Sequence, residues 1–137
     1  MLVRIVIGAL LMVAVVAMAF TGVDKFTGAE NHNITLEEAS ALVGNYQIVN
    51  PEAAKSHFFG RNAIEKILAQ DGVVGVRVYY GIADDGVQHL VMVGTDSDQN
   101  DLVKGVLAER APKCPPYCGE ENELNTPQQT TGKIAVR

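Results

Sequence analysis

The chain reads as a small α+β protein: helices packed on a central antiparallel β-hairpin, preceded by an N-terminal apolar helix. Three observations predict this. Two segments, Leu36 to Ile48 and Arg61 to Gln70, carry apolar residues at helical spacing. Two segments rich in β-branched and aromatic residues, Val73 to Tyr80 and Val87 to Val93, flank the turn Ala83-Asp84-Asp85-Gly86. Ahead of them, Ile5 to Phe20 is an apolar run unmatched elsewhere in the chain.

The apolar run follows Met1-Leu2-Val3-Arg4, which carries one positive side chain. Such a start marks a signal peptide or a membrane anchor. Ala17-Met18-Ala19 is an A-x-A cleavage site that would leave Phe20 as the mature N-terminus. An uncleaved chain would meet the membrane through residues 5-23, and a buried core helix is the third reading. Arg4 precedes the run while Asp24 and Lys25 after it cancel, so the N-terminus stays inside and the rest is exported. The expected location is the periplasm, or the inner membrane with the domain outside the cytoplasm.

Residues 21-33 read as a linker and residues 34-110 as the folded domain. Thr35-Leu36-Glu37-Glu38 is a capping box, with Leu36, Ala39, Leu42, Val43 and Tyr46 following at helical spacing. Asn50-Pro51 ends that helix, because the residue before proline avoids the α region. Ser56-His57-Phe58-Phe59-Gly60 forms an aromatic corner. The second helix places Ala63, Ile64, Ile67 and Leu68 on one stripe and stops at Asp71-Gly72.

A four-residue loop in the hairpin puts Val76, Val78 and Tyr80 on one face with Val91 and Val93, as the core. Tyr79, Leu90 and Met92 then lie on the other, a candidate interaction face. A lone ribbon cannot shelter two apolar faces, so helices cover one and more chain or a protein partner meets the other. Leu102, Val103, Val106 and Leu107 read as a last short helical stripe. Residues 111-137, rich in Pro, Gln, Thr, Asn and Glu, read as a flexible tail around Cys-Pro-Pro-Tyr-Cys.

In an oxidising compartment Cys114 and Cys118 default to a local disulfide. Closing so short a loop contributes at most roughly 2 kcal/mol. A redox-active pair is the alternative, with Lys113 adjacent, although the spacing is C-x3-C and Pro115-Pro116 disfavours a helix start. Metal ligation is a third reading; a zinc site from Cys114, Cys118, His57 and His89 depends on the fold.

Asp96, Asp98 and Asn100 alternate like the opening of a calcium loop. The match then fails, since Asp101 stands where the sharp-turn glycine belongs and Leu107 where the glutamate belongs. A solvated turn is the plainer reading. His32, His57 and His89 fall in no metalloprotease-like pattern, and the chain contains neither G-x-S-x-G nor a phosphate-binding glycine loop. Asn33-Ile34-Thr35 matches a glycosylation sequon. The net charge of -5 argues against nucleic acid as a partner. No cofactor is expected.

Ile34-Thr35-Leu36-Glu37-Glu38-Ala39, His57-Phe58-Phe59-Gly60, Val76-Arg77-Val78-Tyr79-Tyr80-Gly81, Gly94-Thr95-Asp96 and Cys114-Pro115-Pro116-Tyr117-Cys118 occur in that order. The set resembles a group of small uncharacterised bacterial proteins with a Tyr-Tyr-Gly strand end and a Cys-Pro-Pro-x-Cys tail. That group has no established activity, so the resemblance supplies no catalytic residue. The expectation is therefore a non-enzymatic, exported binding or interaction module of the cell envelope. The alternatives are a thiol-disulfide redox protein using Cys114 and Cys118, or a small metal-binding protein.

Overall fold

The computed structural model describes residues 24–126. The expected export segment, its cleavage site and residues 127–137 lie outside them. Among the described residues no helix is long and apolar enough to cross a membrane. The described chain is a small α+β domain with two helices, a three-stranded antiparallel sheet and a separate two-stranded ribbon.

Helix α1 spans Leu36–Val49. Its capping box closes as the sequence predicts: Thr35 Oγ1 accepts from the Glu38 amide at 3.1 Å, and Glu38 Oε2 accepts from the Thr35 amide at 2.8 Å. Those bonds, the Thr35 amide foremost, hold the Glu38 carboxyl below its usual range. The buried positions, however, are Gly44 and Gln47, while Leu36, Leu42, Ile48 and Val49 stay exposed. The neighbour on the buried side is irregular chain whose carbonyls need donors: Gln47 Nε2 donates to Leu124 O at 3.0 Å.

Strand β1, Ser56–His57, pairs antiparallel with β5, Lys113–Cys114. Flanking amides extend the ribbon, Lys55 N to Cys114 O at 2.7 Å and Phe58 N to Pro112 O at 2.9 Å. Residues 111–126 therefore belong to the domain rather than to a loose tail. Asn125 O accepts from Lys55 Nζ at 2.9 Å, which ties the last described turn down as well. The linker segment is also held at its near end, by Phe26 N to Ser97 O at 2.9 Å.

Helix α2, Arg61–Leu68, ends before Gly72, which adopts φ +79°. It lies on strands β2 (Val73–Ile82) and β3 (Gln88–Asp96), and Ile67 is fully buried between them. Gln70 joins its end to the chain beyond the sheet, donating to Ile67 O at 2.9 Å and accepting from Val106 N at 2.6 Å.

The hairpin is confirmed, but its register differs from the sequence expectation by one residue. Gly86 N donates to Ala83 O at 2.8 Å and Ala83 N donates to Val87 O at 2.9 Å. With Gly86 at φ +82°, this is a three-residue loop with a glycine bulge. Ile82 therefore faces Gln88, Tyr80 faces Leu90 and Val78 faces Met92. A one-residue slip exchanges the faces of a whole strand. Leu90 and Met92 thus share a face with Val76, Val78 and Tyr80, whereas Tyr79 stands opposite Val91, and Arg77 opposite Val93. Tyr79 does not form one surface with Leu90 and Met92. Met92 and Val93, on opposite faces, are 8% and 2% exposed, so both sides of β3 are core at that level.

The expected last helix is absent. Residues 102–105 turn, with Leu102 N donating to Gly94 O and Gly105 N to Leu102 O, both at 2.9 Å. Strand β4, Leu107–Ala108, then pairs with Val93 and Met92. Six residues interrupted by Gly105 are too few for a self-supporting helix, whereas the outer edge of β3 offers ready partners.

Candidate functional site

From Val78 onward strand β2 changes from half-buried to mostly exposed. Val78, Tyr80 and Ile82 are exposed there, with Leu90 half-buried beside them. This end of the sheet, Tyr46 of α1 and residues 54–57 enclose a groove of about 380 Å³. Its walls are Ala54, Tyr80, Ile82 and Leu90, with Lys55, His57, Gln88 and His89 around them.

Gln88 holds the groove together. Its side-chain oxygen accepts from the Tyr46 hydroxyl at 2.6 Å, and its carbonyl meets His57 Nε2 at 3.3 Å. A carbonyl only accepts, so His57 carries its proton on Nε2. One residue thereby fixes α1 and β1 to the hairpin. His89 Nδ1 lies 2.5 Å from Glu109 Oε1, and that bond above all holds the Glu109 carboxyl below its usual range. Ser56 and His57 are successive strand residues, so their side chains diverge, and no hydrogen bond joins them. Among the described residues the groove therefore pairs no nucleophile with a base, and Tyr46, Lys55, His57 and His89 are tied to structural partners.

A polar cluster occupies the other face of the sheet. Arg77 Nη1 donates to Asp101 Oδ1 at 2.6 Å and Nη2 to Gln99 O at 3.1 Å; the Tyr79 hydroxyl donates to Asp101 Oδ2. Thr95, itself buried, completes the set with a 3.4 Å bond to Asp101. The sequence reading missed Asp101 as a partner. The available signal was Arg77 itself, a lone charge inside an apolar strand, which requires an acid when half-buried.

Asp96, Asp98 and Asn100 form the solvated turn rather than a calcium loop. Asp96 Oδ1 accepts from the amides of Asp98 and Asn100, both at 2.9 Å, and Asp98 pairs with Lys25 at 3.0 Å. The Asn100 amide is the foremost cause of the lowered Asp96 pKa. Cys114 and Cys118 are joined as a disulfide, so neither thiol remains for the four-residue zinc set with His57 and His89. Among the described residues no group of three or more His, Cys, Asp or Glu is placed to hold a metal ion.

The chain matches no known protein family, no curated protein and no solved structure.

Proposed function

We propose that the protein is an exported, non-enzymatic binding module of the cell envelope, which takes an apolar segment of a partner protein into the groove at the open end of the hairpin. The observation that carries this reading is the division of labour around the groove. Tyr46, Lys55, His57, Gln88 and His89 each have a hydrogen-bond partner within the fold, while Tyr80 and Ile82 are exposed and Leu90 is half-buried beside them. Ligand grooves share that character: an apolar lining with a few fixed polar groups. The exported location rests on the charged start, apolar run and A-x-A triplet of residues 1–19.

The test is native isolation of the full chain from envelope fractions, beside an Ala54→Phe variant that fills the groove. The reading predicts a partner that co-purifies with the wild type and is lost with Ala54→Phe, while circular dichroism stays unchanged. A partner retained equally by the filled groove refutes it.

The alternative, thiol–disulfide exchange by Cys114 and Cys118, has less support. Exchange needs a sulfur that a thiolate can reach. Cys114 is 1% exposed and sits in the β1–β5 ribbon, so attack is confined to the half-buried Cys118. A reduction potential below about -300 mV would mark the bond as structural, and one well above it would favour exchange.

A further inference from the structure

The second strand is an edge strand, since the sheet order is β2-β3-β4. Backbone groups alternate in direction along such a strand. Ala83 N bonds Val87 O, so the odd-numbered residues of β2 face β3. The even-numbered residues, Val76, Val78, Tyr80 and Ile82, direct their N–H and C=O groups away from the sheet. Among the described residues no hydrogen bond reaches these outward groups.

Proteins protect such edges with charges, prolines, bulges or covering chain. Here protection exists at one end only. The bulge lies between Val73 and Gly75, the N-terminal segment approaches at Gly28 against Val74, and Arg77 supplies the last charge. From Val78 to Ile82 the sequence is Val-Tyr-Tyr-Gly-Ile, with no charge or proline; among the described residues no chain pairs with it on its outer side, and Tyr80 is 94% exposed.

We infer that this bare edge pairs with the same edge of a second copy of the chain, antiparallel about Tyr80, joining two three-stranded sheets into one of six strands. The segment is self-complementary in that arrangement. Outward-facing residues meet outward-facing residues, Tyr80 lies beside the partner's Tyr80, and Val78 lies beside the partner's Ile82, as an isologous contact requires. In this register Asp84 and Asp85 of the acidic tip fall beside the partner's uncharged Val76 and Gly75, clear of the partner's own tip. The two tips stay roughly 30 Å apart at about 3.3 Å per residue. Slipping the pairing so that Val78 meets its own copy instead brings Asp85 opposite the partner's Asp71. Charge thus selects the register centred on Tyr80.

The edge and the groove share Tyr80 and Ile82, but a variant at Ala54 tells them apart. Ala54→Phe fills the groove and leaves the outward backbone groups of β2 untouched, so it should dimerise as the wild type does. The test is sedimentation equilibrium of the full chain in mild non-ionic detergent. Tyr80→Pro removes an outward N–H together with the phenol ring and leaves the β2–β3 hydrogen bonds in place, and edge strands tolerate such a proline. The expected result is a wild-type dimer and at least about a tenfold weaker association for Tyr80→Pro, as two symmetric hydrogen bonds disappear. Circular dichroism should remain native. If Tyr80→Pro does not fold, Ile82→Lys, at a position 75% exposed, places a charge on the same edge and carries the same expectation. A monomeric wild type overturns the inference, including one whose edge binds an unrelated extended peptide. So does equal dimerisation by the folded edge variant.

Discussion

Two glycines on the same hairpin should respond in opposite directions to the same added methyl group. A Cβ built on Gly94 would stand 2.7 Å from Val73 Cγ2, 3.2 Å from Gln70 Nε2 and 3.5 Å from Ile67 Cγ2. Carbon atoms pack best at about 3.5–4.0 Å, so Val73 must retreat by close to 1 Å. Its β-branched side chain has little rotamer freedom, and Ile67 beyond is fully buried. Overpacking of this kind costs about 1–3 kcal/mol, offset by the roughly 0.5–1 kcal/mol that alanine recovers over glycine in a strand. Gly94→Ala should therefore lose about 1–2 kcal/mol. At about 4–8 °C per kcal/mol, its midpoint should fall by roughly 4–16 °C. At Gly81 the new Cβ would be 3.8 Å from both His89 Cβ and His89 O, ordinary contact distances. Gly81→Ala should stabilise by about 0.4–1 kcal/mol through the unfolded state. Thermal and urea unfolding followed by circular dichroism measure both. A Gly94→Ala protein as stable as Gly81→Ala would refute the packing of α2 and Val73 over β3.

Removing the shared acid of the polar cluster, Asp101→Ala, strands the half-buried Arg77 and should cost about 1–3 kcal/mol in urea unfolding. Asp84→Ala at the tip should stay within about ±0.5 kcal/mol. Glu30, held down to about 2 mainly by the Thr27 amide, stabilises the fold above its usual value of 4.5 and loses that contribution as pH falls towards 2. Glu30→Gln should flatten the dependence of the urea midpoint on pH across that window; parallel curves would refute the bond. Replacing both cysteines by alanine should cost at most roughly 2 kcal/mol beyond the loss of buried sulfur and leave the β1–β5 pairing detectable by amide exchange.

Local chemistry was legible in the sequence, and pairings across distance were not. Thr35 and Glu38 lie within one turn, so the capping box and start of α1 followed directly. Gly72 and Gly86 marked the turn between α2 and β2 and the hairpin tip, and both adopt positive φ, although α2 itself ends earlier, at Leu68. The tip also caused the largest error. Asp84-Asp85-Gly86 is compatible with a loop of three or four residues, and that difference of one decided which face Leu90 and Met92 occupy. The groove was legible only through Leu90 of the expected interaction face. Tyr46, Lys55 and Gln88 complete it from three separate segments, and nothing local in the chain announces their meeting. The same holds for β5, which a Pro-rich composition concealed because its partner, Ser56–His57, lies far ahead of it in the chain.

The way these contacts are distributed along the chain also sets a timetable for synthesis. Helix α2 and the hairpin are contiguous and can associate as soon as Asp96 is free of the ribosome. Tyr46 must wait 42 residues for Gln88, Lys55 70 for Asn125 and Gln47 77 for Leu124. At about 5–20 residues per second, the first helix passes several seconds without the partners that hold it. Its exposed leucine, isoleucine and valine side chains make that interval the time when a chaperone has the most to grip.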